Sequence, residues 1–321
     1  MKLAAARTEA WSRYWATGAL HSCAGSFDGN YGGVIGEWWR QVFDALPLGA
    51  QVLDLACGNG PLAQLLLSRR DDPGLCCQAV DLAPLSPPWA TQEPRVHFRG
   101  STNIEDLPFG IASFDLVISQ YGLEYAALEA AVAEAVRVTR PGGRLCFVMH
   151  HADSRPVTLA IEERIHIDWL LGRSGWFPAA QAMLLPMSLA GSPEGAALLG
   201  SDPQMDAVRR QFDACLEALR ARADTSACPD LLLDLHRWTA QAFQVSAHQG
   251  VQAGRRSLDE IRTLVGDIDT RLADLLEHAL DPAEIQALME LLASHGVRAS
   301  LRPLHDHGQL MGWGIDGRRA A

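Results

Sequence analysis

Two carboxylates and two glycines carry the first chemistry legible in this chain. In Val52-Leu53-Asp54-Leu55-Ala56-Cys57-Gly58-Asn59-Gly60-Pro61-Leu62-Ala63, an apolar run stops at a glycine-rich turn and a helical pattern starts at once. Gly58 and Gly60 permit a tight turn and leave bare main chain for a ligand to lie against. Asp54 stands inside the apolar run just before that turn, and Asp81 closes a second apolar run. Carboxylates so placed can accept from vicinal hydroxyls or hold an ammonium group. A second set has the types needed to move a proton. Tyr121, Glu124 and Tyr125 follow one apolar run, His150 and His151 follow another, and Glu162 and His166 come later in a helical pattern.

Such residues need a frame that gathers the ends of several apolar runs. Gln51–Leu55, Cys76–Asp81, Val96–Gly100, Phe114–Ser119 and Arg144–Met149 are expected strands, with helices over Pro61–Ser68 and Leu128–Thr139 and a turn at Arg140–Gly143. Pro61 suits a first helical turn, and Leu62, Leu65 and Leu66 form an i, i+3, i+4 stripe. Phe114–Ser119 is nearly all apolar, as a strand covered on both faces should be. This alternation predicts an α/β fold with a doubly wound, mostly parallel sheet and a ligand at its carboxyl edge.

The flanks differ. Eight of the 22 Phe, Trp and Tyr residues fall in the first 43 positions. Trp11, Tyr14 and Trp15 share one helix face, Trp39, Val42 and Phe43 another, with a polar loop, His21–Gly36, between. Residues 1–46 therefore read as a helical pair packed on the sheet edge, or as an aromatic flap with Tyr14 or Tyr31 reaching a ligand's polar end; the two can coexist. After His151 only helical patterns follow, the clearest being Met205–Ala221, Leu231–Gln244, Leu258–Leu280 and Pro282–Ala293, with Ser257 and Asp281-Pro282 as helix starts. Val297–Leu304 and Gln309–Ile315, joined by His305–Gly308, close the chain as strands. The expected division is 1–46 flap, 47–152 core, 153–280 helical cap, and 281–321 last helix and closing hairpin.

Composition narrows the classes. At 48% hydrophobic and 20% charged residues the chain suits a soluble globular fold. A net charge of −11 opposes a polyanion, so no nucleic-acid partner is expected. Residues 1–20, with Arg7, Glu9 and Arg13, do not read as a signal peptide, and no apolar span reaches membrane-crossing length. Cytoplasm is the expected compartment, with no membrane partner. The seven cysteines show no metal-ligand spacing and read as buried thiols.

Two ligand classes could use the first turn. Gly58-Asn59-Gly60-Pro61-Leu62-Ala63 fits a G-x-G-x-x-A dinucleotide fingerprint, with Asp81 at a suitable distance. Asp54 argues against it, because a carboxylate there would oppose a pyrophosphate at the helix start. The same acid favours S-adenosylmethionine (SAM), which carries an ammonium and a sulfonium. The stretch Val52–Gly60 looks like motif I of the class I SAM-dependent methyltransferases. Asn103-Ile104-Glu105-Asp106-Leu107-Pro108-Phe109 resembles a segment of the small-molecule branch related to ubiquinone and menaquinone methyltransferases, the type 11 group. Phe114–Ser119 and Arg140-Pro141-Gly142-Gly143-Arg144 match that family's fourth strand and following turn. The resemblance covers roughly residues 50–150 in order and implies a Rossmann-like, seven-stranded methyltransferase fold, here with a helical cap inserted.

Carried over residue by residue, the resemblance places the methionine part of SAM against the main chain of Ala56, Gly58 and the segment Ser119–Gln120, with Gly60 in the same turn. It places the ribose on Asp81 and the adenine between Leu82 and Ile104. Asn103 stands where the family has an acid for the adenine amino group, and its carbonyl could accept that bond without charge. Asp54 is expected to orient the turn and the ammonium. For an acceptor needing deprotonation, His150, His151 and Tyr121 are the base candidates; Tyr14, Tyr31, Glu124, Tyr125 and His166 are candidate acceptor contacts. Adjacent strand residues face opposite ways, so only one of the two histidines should meet the pocket. Ser119-Gln120-Tyr121-Gly122 lacks the signatures used on nucleobases, which leaves a small organic acceptor methylated on O, N or C, with adenosylhomocysteine as by-product and a homodimer as one open assembly. A nicotinamide-dependent reductase, a non-catalytic SAM-fold module and a peptide or protein methyltransferase stay open as rivals.

Overall fold

The strands β1 (Gln51–Leu55), β2 (Cys76–Val80), β3 (Val96–Arg99), β4 (Phe114–Gln120), β5 (Thr139–Met149), β6 (Val297–Asp306) and β7 (Gln309–Arg319) make one sheet in the order β3-β2-β1-β4-β5-β7-β6. The first five run parallel, while β7 lies antiparallel to both β5 and β6. This computed structural model describes residues 2–22, 29–190, 192–199 and 202–321. Its helices are α1 (Lys2–Ala16), α2 (Gly33–Asp44), α3 (Pro61–Arg69), α4 (Leu128–Val138), α5 (Arg155–Asp168), α6 (Trp176–Ala190), α7 (Pro193–Leu199), α8 (Pro203–Thr225), α9 (Asp230–Gln249), α10 (Val251–His278) and α11 (Pro282–Ser294). Two compact units result, Met1–Thr158 with Asp274–Ala321, and Leu159–Ala273.

In the first unit both faces of the sheet are covered, which is why its central strands are buried at nearly every position rather than at alternate ones. Leu53, Leu55, Val117, Leu145 and Phe147 pack with Val132 and Val136 of α4 and Ile285 and Leu288 of α11. Val52, Leu116, Ile118 and Val148 face Trp39 and Phe43 of α2 and Leu62 and Leu66 of α3. Each large apolar side chain buried in this way contributes about 1.5–3 kcal/mol. α11 starts where the sequence signals it: Asp281 accepts from the N–H groups of Ala283 and Glu284, and Glu284 accepts from the N–H of Asp281, a complete capping box.

Three sequence expectations change. Ser257 starts no helix, since α10 runs unbroken from Val251, after a Gly250 at φ +86°. Arg140–Gly143 is no separate turn. β5 begins at Thr139, and its register against β4 jumps from Phe114↔Thr139 to Leu116↔Arg144 around that segment. The closing hairpin is longer than read, because β6 and β7 pair from Val297↔Arg319 to Asp306↔Gln309. Part of the His21–Gly36 segment, residues 23–28, lies outside the described residues, and its last residues belong to α2.

The second unit has its own core, formed by Trp176, Phe177, Leu184, Phe212, Leu219, Leu232, Leu235, Leu258 and Val265. α6 is apolar nearly throughout because α7, α8 and α9 all pack against it. The Trp176 indole N–H donates to Thr239 Oγ1 at 3.1 Å, so the buried ring leaves no orphaned donor.

Candidate functional site

In the first unit a cavity of about 300 Å³ opens at the carboxyl ends of β1, β2 and β4. The turn after β1 builds one wall. Gly58 takes φ +51° and its N–H donates to Asp81 Oδ2 at 2.8 Å, while Ala83 N–H donates to Asp81 Oδ1 at 2.8 Å. The Trp15 ring lies 2.7 Å from where a Gly58 Cβ would stand, so only glycine fits both the backbone and the neighbour. Asn59 fastens the turn to the first helix region, its amide donating to the carbonyls of Trp15 at 2.9 Å and Ala19 at 2.8 Å.

Asp54 is buried, and its Oδ2 has no hydrogen-bond partner among the described residues. Burial, and next the neighbouring Asp81, push its carboxyl well above the usual carboxylate range. Burial also raises Asp81, against the lowering effect of its backbone donors. Asp81 still has acceptor capacity, since a carboxylate offers about four lone-pair sites and two are used. Gln120 presents a second orphan: Oε1 accepts from Trp39 Nε1 at 2.6 Å, and the buried Nε2 has no partner among the described residues. An uncovered acceptor and an uncovered donor thus stand on one cavity wall. They suit the ammonium and carboxylate of an amino-acid tail.

The other expected donor contacts divide. Ala56, Leu82, Asn103 and Ile104 line the cavity, with Leu82 exposed and Ile104 buried. Asn103 Oδ1 accepts from Glu105 N–H at 3.0 Å, so the carbonyl expected to meet an adenine amino group already caps the following turn. Gly60 does not line the cavity. Its φ of +80° starts α3, and Phe98 and Trp89 pack where a side chain would go. Ser119 is also behind the wall, its Oγ donating to Leu55 O at 3.0 Å.

Neither His150 nor His151 lines the cavity. His150 is buried under Tyr121, ring centroids 4.1 Å apart, with its Nδ1 2.8 Å from Glu124 Oε1. That oxygen also accepts the His150 backbone N–H at 2.8 Å, so Glu124 is a buried partner of His150, outside the cavity lining. His151 stacks on Trp313 at 4.1 Å and accepts from Asp153 N–H through Nδ1; burial lowers its pKa. The alternation rule separates the two rings as expected, but the element ends beyond β5 turn both away. Tyr121 lines the cavity at φ +52°, with its hydroxyl donating to Met311 O at 2.8 Å. Tyr31 and Tyr125 line it too, whereas the Tyr14 hydroxyl donates to His21 O at 2.7 Å and that ring is not in the wall. His166 belongs to the second unit. There its Nδ1 accepts from Arg222 at 2.8 Å and its Nε2 meets Ser226 Oγ at 2.8 Å.

Sequence reasoning read Trp11 of α1 as part of a covering face but did not place Arg7 and Thr8 of α1, or Asp274 and His278 of α10, in the wall. The aromatic spacing of α1 signalled a covering element. Nothing in the sequence signalled Asp274 or His278.

Residues 53–147 match the family model of a methyltransferase domain, type 11. The chain is 34% identical over 129 residues to a malonyl-[acyl-carrier protein] O-methyltransferase of Enterobacter lignolyticus, which covers 39% of this chain and 50% of that one. It is 37% identical over 113 residues to a demethylmenaquinone methyltransferase of Mycobacterium tuberculosis, covering 34% of this chain and 45% of that one. The chain spans about half the length of the curated relatives it matches. A solved geranyl diphosphate C-methyltransferase from Streptomyces coelicolor is similar at 18% identity and a TM-score of 0.35, over 45% of this chain and 65% of that one. The sheet and the motifs along its carboxyl edge are those of a class I SAM-dependent methyltransferase domain. Within that class, residues 53–147 are similar to the type 11 group.

Proposed function

We propose that the protein moves the methyl group of SAM to a small organic acceptor by in-line displacement. The observation that carries this reading is the Asp54 carboxylate, buried beside the bare turn with Oδ2 unpartnered. A bound ammonium would supply the missing partner, whereas a diphosphate would add repulsion. Asp81 would take the ribose hydroxyls with its remaining lone pairs, and Leu82 and Ile104 would flank the adenine. When bound, SAM supplies a methyl carbon activated by a sulfonium. The chain's own task is to orient and enclose, a contribution of up to about 7–11 kcal/mol when alignment is good. The names of the two relatives differ in acceptor, so neither fixes the acceptor here. The charge of −11 keeps nucleic acid out of consideration. No described helix is long and apolar enough to cross a membrane.

Calorimetry with SAM, adenosylhomocysteine and NADPH tests the donor site, and labelled SAM incubated with a metabolite extract tests transfer. The expected outcome is binding of the first two ligands, no binding of NADPH, and label in a small product. NADPH binding with adenosylhomocysteine excluded would overturn the reading.

A further inference from the structure

We propose that His278 is the general base of the reaction, held by Asp274, and that its Nε2 takes the proton from the acceptor. This rests on the methyl-transfer reading above. His278 lines the cavity beside Tyr125, with ring centroids 5.2 Å apart. Its Nδ1 is engaged twice, with the Asp274 carbonyl at 2.8 Å and Asp274 Oδ1 at 3.3 Å. Both partners accept, so Nδ1 carries the proton and Nε2 keeps its lone pair in the neutral ring. Nε2 has no hydrogen-bond partner among the described residues.

The support behind the ring is fixed. Asp274 is buried and also meets the Trp11 indole N–H at 2.9 Å and the Arg7 guanidinium at 3.3 Å; Arg7 bonds Glu277 as well. The chain just after His278 is anchored to the end of β5, because Leu280 N–H donates to His150 O at 3.0 Å and Ala152 N–H to Leu280 O at 3.1 Å. The charged and titratable groups around the ring are Asp274 and Glu277 of its own helix, Arg7 of α1 and Tyr125 after β4. Two carboxylates face one guanidinium, so the cluster accommodates one further positive charge. His278 is the last residue of α10, where the helix dipole favours a cation. Accordingly its pKa is raised, first by Asp274.

In the step, an acceptor O–H or N–H loses its proton to Nε2 while the acceptor atom's electron pair forms the bond to the methyl carbon. The carbon–sulfur bond breaks and its pair returns to sulfur. The acceptor ends methylated, the donor ends as adenosylhomocysteine, and His278 ends as an imidazolium beside Asp274. Asp274 touches no reacting atom and is a positioning residue.

The test uses the full chain, with labelled SAM and the metabolite extract that reveals transfer. His278→Gln should lower turnover about 10²–10⁴-fold, with SAM affinity unchanged by calorimetry. Added imidazole should restore part of the rate to His278→Ala. Wild-type turnover should fall as pH drops through the raised histidine pKa, and Asp274→Asn should move that limb to lower pH. Nitrogen-15 spectra with adenosylhomocysteine bound should show the Nδ1–H tautomer of His278. Turnover by His278→Gln within about two-fold of wild type, or an Nε2–H tautomer, overturns the base role and leaves the methyl-transfer reading intact. A wild-type chain that transfers no methyl overturns both.

Discussion

At the residue scale the site is governed by two carboxylates in unlike surroundings. Asp81 is held by two backbone N–H groups, whereas Asp54 has an oxygen that nothing covers. Because burial raises the Asp54 pKa, the folded chain holds that proton more tightly than the unfolded chain does. Stability therefore falls as pH rises from the ordinary carboxylate range through the folded value. Asp54→Asn should therefore raise the melting temperature of the ligand-free protein at pH 7, since it removes a buried group that resists ionisation. Its SAM affinity by calorimetry should drop at least about tenfold, the loss of one charged hydrogen bond. An unchanged affinity would remove Asp54 from the donor site. Asp81→Ala should cost both binding and melting temperature, since it strips the acceptor from Gly58 and Ala83 N–H as well as from ribose; each bond lost is worth about 0.5–1.5 kcal/mol.

At the element scale the turn after β1 and the helix α1 hold one another. Asn59 is the fastener, through two bonds to the carbonyls of Trp15 and Ala19. Asn59→Ala should free α1 at a cost of about 1–2 kcal/mol. Hydrogen exchange over residues 6–16 should then speed by about tenfold or more, while the sheet amides keep their protection. Equal protection in both proteins would mean that packing of Trp11 and Trp15 suffices. α11 offers a control far from the chemistry: Asp281→Ala removes its capping box and should cost about 1 kcal/mol by thermal melting, with no change in SAM affinity.

At the scale of the whole molecule, every residue that lines the cavity falls within Met1–Thr158 or Asp274–Ala321. The helical unit Leu159–Ala273 has a separate core built on Trp176 and Leu184. Replacing residues 162–266 with a flexible linker should therefore leave SAM affinity within about three-fold, as a loop of any length adds little closure cost. Loss of donor binding in the excised protein would show that the division into units is not a division of labour.

Local signals alone determined the strands, the glycine turn and the acids at strand ends, because they depend on spacings of two to four residues. Asp54, Gly58 and Asp81 were legible for that reason, as was Trp11 as part of a covering face. Tertiary structure decided which side chains meet. Trp11 and Asp274 are 263 positions apart, and no local pattern announces their bond. His150 and His151 stood where a base could be, yet Glu124 and Trp313 claim them. Phe98 and Trp89 pack against Gly60, and the Ser119 hydroxyl makes a strand-to-strand bond. Short-range periodicity fixes an element and its faces, but the neighbour on each face comes from distant chain, and that neighbour determines whether a titratable group faces the cavity or the core.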